Sequence, residues 1–355
     1  TGAIGTFSTF NKIYARPIAG APLIASSTVV FMDKATGHLY AIDQAKQSEP
    51  KQISNTTIPK VNHFLAGKIG NKYSIIARYL KDDRVQNFSA DLIKTFASST
   101  EFFQLDKAGE EEVAELEGRF LSPSLYQVTT SPSQDRIFYL EKTIDGQTSG
   151  YLANWDGSGR SLLFSSPLTE WLVTWPASNA IALQTRASSE VEGALYLIDP
   201  STKRDQLVFS GIPGLSAVVS SSGRKTLYSG NSSQGLAFGV YSLAEGVFDR
   251  LPVNTLAEKC TWSRDNVTIF CAVPTSLLTA AWPEAWYGGE LSLADNIWKI
   301  DTETKQGEIV YNPSIARLGQ EIDGTNLFLN QTETTLFLTN KLDQKLWALN
   351  LEPGF

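Results

Sequence analysis

The cysteines of this 355-residue chain, Cys260 and Cys271, are the residues best suited to covalent chemistry. They bound the stretch CTWSRDNVTIFC, in which a polar turn at Asp265 and Asn266 separates two short apolar runs. If these runs are paired strands, Cys260 lies directly opposite Cys271, with Cβ atoms about 4.5–5.5 Å apart. We therefore predict a disulfide, and two buried thiols are the alternative. Zinc is excluded, because two cysteines and distant histidines supply too few ligands.

Acid–base chemistry has few candidates, because the chain contains only His38 and His63. His63 lies on a predicted strand, where it either lines a channel or serves as a hydrogen-bonded structural residue. The sequence contains no G-x-S-x-G nucleophile elbow, Cys–His signature or Asp-x-Asp-x-Asp-Gly calcium loop. The run DGSG at 156–159 lacks the strand-to-helix context of a phosphate-binding loop and indicates a hairpin turn. We predict no catalytic residue, no metal site and no cofactor.

Ligand binding has one candidate group, the aromatic residues Trp282, Trp286 and Tyr287. They belong to an insertion at residues 275–296. Aromatic side chains in a long loop on a rigid scaffold can contact a protein partner or stack on sugar rings. The alternative is that the loop folds back and buries its rings, as large aromatic side chains usually do. We predict these three residues as the binding site.

A second insertion, residues 93–120, is acidic. Its segment KAGEEEVAELEG (107–118) contains five glutamates. This composition is typical of a solvated loop or short helix, and an acidic docking site is the alternative.

A short apolar run that follows a polar turn occurs seven times in the chain, which indicates a repeated structural unit. The candidate residues must therefore be positioned by copies of this unit. One residue anchors each copy: Val29, Ile75, Ile137, Ile181, Leu227, Ile269 and Leu336. Four of the six intervals between anchors are 42–46 residues long, whereas those of 62 and 67 residues contain the two insertions. The residues before the first anchor and after the last together make one more interval of similar length, as in a closed ring.

Each repeat contains four predicted strands. The third carries an aromatic–x–apolar–polar pattern, as in HLYAID (38–43), ALYLID (194–199), NIWKID (296–301) and KLWALN (345–350). Four short antiparallel strands in about 45 residues are typical of a β-propeller blade. We predict an all-β, seven-bladed β-propeller that forms a single domain over residues 1–355. Because the last repeat ends after its third strand, we expect residues 10–18 to supply the outer strand of that blade.

The composition argues against nucleic acid as a partner, because the formal charge is −7 and the pI about 5.1, whereas phosphate backbones favour basic surfaces. No apolar run approaches the about 18 residues that a membrane helix needs. The chain also lacks a signal peptide and begins without Met. We therefore expect that a leader or anchor is missing and that any membrane contact occurs only through it.

The runs SPSQDRIFYL, SSSGRKTLYS and WSRDNVTIFC resemble the TolB-type propeller repeat, in which a Ser-Pro-Asp-Gly-like corner leads into an apolar strand. The corner is complete in no copy, and Pro132 is the only corner proline in its expected place. As a whole, the chain also resembles uncharacterised bacterial surface propellers. The resemblance implies an extracytoplasmic location and binding to other proteins, and it supplies no catalytic residues.

We therefore predict a non-enzymatic protein-interaction or scaffold propeller in the periplasm or at the cell surface, with a cell-envelope protein as its partner. One alternative is a carbohydrate-binding propeller that uses Trp282, Trp286 and Tyr287. The other is a hydrolase or lyase with its site in the central funnel, as in some propeller enzymes.

Overall fold

A computed structural model describes residues 10–21, 28–43, 49–70, 72–93, 114–277, 280–316 and 319–352. The described residues form 28 strands, one short helix, α1 (Glu284–Tyr287), and a 3-10 turn (Ala257–Lys259). In this part of the chain, no helix has the length and apolarity needed to cross a membrane.

The strands form seven four-stranded antiparallel sheets, which are the blades of the predicted β-propeller. Blade 1 contains β2 (Ile18–Gly20), β3 (Thr28–Asp33), β4 (Leu39–Asp43) and β5 (Lys51–Gln52). Blade 2 contains β6 (Val61–Ile69), β7 (Lys72–Lys81), β8 (Arg84–Ile93) and β9 (Glu115–Phe120). Blade 3 contains β10 (Leu125–Thr130), β11 (Ile137–Lys142), β12 (Thr148–Ala153) and β13 (Ser161–Ser166). Blade 4 contains β14 (Trp171–Ala177), β15 (Ala180–Thr185), β16 (Glu192–Ile198) and β17 (Asp205–Pro213).

The remaining blades have the same strand order. Blade 5 contains β18 (Ser216–Val219), β19 (Lys225–Ser232), β20 (Gly235–Ser242) and β21 (Val247–Arg250). Blade 6 contains β22 (Cys260–Trp262), β23 (Thr268–Pro274), β24 (Asp295–Asp301) and β25 (Gly307–Tyr311). Blade 7 contains β26 (Gly324–Leu329), β27 (Thr335–Asn340), β28 (Lys345–Asn350) and the N-terminal strand β1 (Phe10–Lys12).

Backbone contacts divide the chain into two compact units. The first comprises residues 13–169 and 173–178, which include blades 1 to 3. The second comprises the described residues within 1–12, 170–172 and 179–355, which include blades 5 to 7.

The strands of a blade differ in how deeply their residues are buried, and this difference explains the repeated apolar run. The second strands β3, β11 and β23 are buried at almost every position rather than at every other one. A strand buried on both faces needs consecutive apolar residues. Within each unit, hydrophobic clusters join residues of neighbouring blades, and β23 of blade 6 contributes to one cluster with blade 5 and to another with blade 7. The fourth strands β9, β13 and β25 are largely exposed, and each mixes polar residues with exposed hydrophobic ones.

The N-terminal strand joins the last blade, as predicted. β1 pairs antiparallel with β28, with Phe10 opposite Leu349. The Phe10 ring is buried and lies 5.2 Å from the Trp347 ring, measured between centroids. The strand is shorter than the predicted 10–18. Pro17 has no N–H to donate to a ladder, and Ile18–Gly20 already belongs to blade 1.

The two predicted insertions are only partly described. Of the acidic insertion at 93–120, residues 94–113 lie outside the described residues, whereas Glu115–Phe120 forms β9, the outer strand of blade 2. The aromatic insertion at 275–296 contains α1, and its residues 278 and 279 are outside the described part.

Candidate functional site

The two cysteines form the predicted disulfide. Cys260 in β22 and Cys271 in β23 are register partners, with Cα atoms 4.1 Å apart, and both are buried. The bond joins the first two strands of blade 6. Because structural disulfides persist in oxidising compartments, it indicates an extracytoplasmic location.

The aromatic insertion folds back onto its unit. Trp282 and Trp286 are only 4% and 3% exposed, and they pack in a hydrophobic cluster with Leu236, Leu256 and Leu293. Their rings therefore offer little surface to a ligand in this structure. Tyr287 is partly exposed, so the predicted binding role of the three residues stays a prediction.

Polar atoms of the insertion hold a buried ionic network. The Trp286 indole N–H donates to Asp323, at 3.1 Å from Oδ1 and 3.0 Å from Oδ2. The Tyr287 hydroxyl donates to the carboxylate of Glu258. Burial and this carboxylate raise the pKa of Tyr287, so the hydroxyl keeps its proton and remains a donor.

Lys259 is the central cation of this network. Its side chain is fully buried, and Nζ lies 2.5 Å from Asp323 Oδ1 and 2.8 Å from Asp295 Oδ2. The same ammonium lies 4.9 Å from the centroid of the Trp286 ring, within cation–π distance. A lysine so deeply buried requires such partners, because removing an ammonium from water is costly.

Asp295 is the residue of this network with the clearest capacity for chemistry. It is the first residue of β24, where its backbone N–H donates to the Ile322 carbonyl at 2.8 Å. Oδ2 accepts from Lys259 and, at 2.7 Å, from the Gly324 N–H. Oδ1 has no hydrogen-bond partner among the described residues. One carboxylate oxygen is thus anchored, and the other is a buried acceptor that could take a proton only from a group that reaches it.

The burial of Asp295 tunes its acidity. Loss of water raises the pKa of this carboxyl to about 6, against the opposing effects of the Lys259 cation and the Gly324 N–H. The carboxylate of Asp323 adds to the rise. Asp295 is therefore mostly ionised at pH 7, yet basic enough to exchange a proton near neutral pH.

Asp295 lines a cavity of about 380 Å³ within the second unit. This volume lies in the range of small-molecule sites. The wall also carries Thr275, Asn296, Ser314, Gln320 and Glu321. Asn296 Oδ1 is a second buried acceptor with no partner in the described part of the chain. The described lining contains two carboxyls and no lysine or arginine.

Sequence reasoning missed this site. Lys259 and Asp323 lie in two separate connections between strands and Asp295 is the first residue of β24, and no motif or spacing relates the three. The only local signal in the sequence is the presence of polar residues where strands begin. Lys259 directly precedes β22, and Asp295 and Asn296 are the first two residues of β24.

The histidines lie elsewhere. His63 in β6 is exposed, opposite Arg78 in β7. Surrounding protein atoms reduce its hydration and, together with the Arg78 cation, lower the pKa of His63 to about 4. The imidazole is therefore neutral at pH 7. The ring of His38 contacts Thr57 Oγ1 and Gln52 Nε2, each at 3.2 Å.

No protein-family model and no curated protein match this sequence. Among solved structures, an oligogalacturonate lyase in complex with manganese is 9% identical over 98% of this chain and 97% of that chain, with a TM-score of 0.61. The oligogalacturonate lyase from Vibrio parahaemolyticus is 7% identical over 98% of both chains, with a TM-score of 0.59. TolB from Acinetobacter baumannii is 13% identical over 94% of this chain and 79% of that chain, with a TM-score of only 0.46.

These similarities show a shared propeller fold. They also contradict our prediction of a non-enzymatic interaction module, because two of the structures that match 98% of this chain are enzymes. The assignment to the TolB-type repeat itself gains no support from a family model.

The first of these lyases is in complex with manganese. Throughout the described ranges, no group of three or more His, Cys, Asp or Glu side chains is arranged to hold a metal ion. The residues present do not fit such a centre, and we derive no step through a metal.

Proposed function

We propose that the chain is a glycoside-cleaving enzyme in which Asp295 is the acid–base residue. The observation that carries this proposal is the state of the Asp295 carboxylate. One oxygen is held by Lys259 and Gly324, the other is buried without a partner among the described residues, and the residue lines a cavity of about 380 Å³. A carboxyl with a raised pKa in a small-molecule cavity is the pattern expected of a general base.

The charge of the cavity favours hydrolysis over elimination. Elimination from a uronic acid requires a cation that neutralises the sugar carboxylate, and the described lining contains no lysine or arginine. Hydrolysis requires two carboxyls, and Asp295 and Glu321 both line the cavity. The substrate is therefore a neutral or cationic glycan, unlike the substrate named for the two lyases.

The reaction follows from these roles. Ionised Asp295 takes a proton from the attacking water, whose oxygen forms a bond to the anomeric carbon. The glycosidic C–O bond breaks, and Glu321 donates a proton to the leaving oxygen. The disulfide supports a further part of the proposal, that this chemistry takes place in the periplasm or at the cell surface.

To test the proposal, the protein is incubated separately with neutral, amino-sugar and uronate oligosaccharides. Cleavage is measured as the release of reducing ends. We expect activity on one of the first two classes. The rate should rise with pH through about 6, because Asp295 must be deprotonated to act as a base. Asp295→Asn should lower the rate at least about 100-fold, the usual effect of losing an acid–base group.

Two further variants check the specificity of this test. Glu321→Gln keeps the buried network and should also lower the rate, whereas Glu290→Gln changes an exposed carboxylate of the insertion and should not. Cleavage restricted to uronates, full activity of Asp295→Asn, or no cleavage of any of the three classes would overturn the proposal.

A further inference from the structure

A second and larger cavity lies within the first unit, between blades 2 and 3. Its volume is about 660 Å³, and polar side chains dominate its wall. This blade 2–3 cavity is lined by charged residues from β7, β8 and β9 and from two turns of blade 3. It shares no residue with the Asp295 cavity.

One side of the blade 2–3 cavity carries a fixed donor–acceptor pair. Lys72 Nζ lies 2.7 Å from Asp91 Oδ2, and the buried Ser74 hydroxyl donates to Asp91 Oδ1 at 2.6 Å. The ammonium remains largely exposed and the carboxylate partly so. Both groups are thus held in place while they can still bind a ligand.

The opposite side repeats this arrangement. Arg119 Nη1 lies 3.7 Å from Asp156 Oδ2, and the Ser158 hydroxyl donates to Asp156 Oδ1 at 2.6 Å. This Ser158 bond lowers the pKa of Asp156, so the carboxylate stays ionised. In each pair a serine hydroxyl fixes the carboxylate and a cation lies beside it, so a donor and an acceptor are adjacent, as are the hydroxyls of a sugar ring.

The remaining charges make the cavity negative. Glu117 and Asp135 also line it, so four carboxylates stand against the two cations Lys72 and Arg119. Hydroxyl groups of Ser131 and Ser133 donate to Asp135 at 2.6 and 2.5 Å and lower its pKa. A ligand with carboxylates would be repelled, whereas one with ammonium groups would be attracted.

We infer that the blade 2–3 cavity binds an oligosaccharide that carries protonated amino groups. Its hydroxyls pair with the two fixed donor–acceptor sides, and its ammonium groups lie near Glu117 and Asp135. The inference rests on the proposed function only in taking a glycan as the class of ligand.

The experiment is calorimetric titration of the full chain with glucosamine oligomers and with N-acetylglucosamine oligomers of the same length. The two probes share a sugar skeleton and differ in charge. We expect the cationic oligomer to bind at least about tenfold more tightly and to weaken as salt rises, because salt screens exposed charges. Glu117→Gln should weaken its binding about threefold to fivefold, the value of one exposed ion pair.

The matched control is Glu308→Gln, which changes an exposed glutamate in the corresponding outer strand of blade 6 and should bind as the wild type does. Equal binding of the two probes, no binding, tighter binding of galacturonate oligomers, or an unchanged Glu117→Gln would overturn the inference. The variant Asp295→Asn separates the two proposals. It should abolish cleavage, whereas Glu117→Gln introduced into the same protein should still weaken binding of the cationic oligomer.

Discussion

At the scale of single residues, Lys259 controls the chemistry of the Asp295 cavity. The ammonium stands between Asp295 and Asp323 and is completely shielded from water. It keeps one oxygen of Asp295 occupied and limits the rise in pKa that burial alone would cause. A buried ion pair is not intrinsically more stable than an apolar replacement, but removal of one partner leaves an uncompensated buried charge.

Replacing the buried cation tests this account. Lys259→Met preserves the length of the side chain but leaves two buried carboxylates without their counter-ion. We expect the free energy of unfolding to fall by about 3–5 kcal/mol, as measured by urea denaturation. Lys299→Met, which changes an exposed lysine of β24, should have little effect. A loss below about 1 kcal/mol for Lys259→Met would show that the carboxylates find other partners.

At the scale of elements, the long connection between β23 and β24 is a structural part of blade 6. Its two tryptophans complete a hydrophobic cluster, and the indole of Trp286 donates to the central carboxylate Asp323. The connection therefore covers the ionic network from water. In the middle of β23, the disulfide at Cys271 joins the strand to β22, which contains only three residues.

The disulfide should stabilise this short strand pair measurably. Replacing both Cys260 and Cys271 with alanine removes a cross-link between residues 11 positions apart. We expect the free energy of unfolding to fall by about 3 kcal/mol, the loop-closure value for such a separation. The control is wild-type protein denatured with reductant, which should show a similar loss. Equal stability of oxidised, reduced and double-alanine protein would contradict the prediction.

At the scale of the whole molecule, the chain repeats one blade seven times and completes the last with its N-terminal strand. β1 supplies the outer strand that the seventh repeat lacks and places Phe10 against Trp347 and Tyr311. Without β1, β28 would present an unpaired edge, and such edges promote aggregation.

Phe10→Ala measures the contribution of this strand. Removing a buried aromatic ring usually costs about 3–5 kcal/mol, and we expect a loss in that range together with a lower melting temperature. Asn11→Ala, at an exposed position of the same strand, should leave both values nearly unchanged. Deletion of residues 1–12 should destabilise the protein further. A truncated chain that melts with the wild type would show that the seventh blade is stable with three strands.

The sequence by itself determined the blade. Successive apolar residues, polar turns and the opposed cysteines are patterns among near neighbours in the chain, and strand geometry converts them directly into pairing and register. The same patterns identified the missing outer strand, although not its length. In the structure β1 ends at Lys12, and the next strand, Ile18–Gly20, already belongs to blade 1.

Only the tertiary structure decided the sites. The burial of Trp282 and Trp286, the contacts of Lys259 with two aspartates, and both cavities depend on connections from different repeats that meet in space. No spacing along the chain encodes these meetings, because the packing of blades sets the distance between their loops.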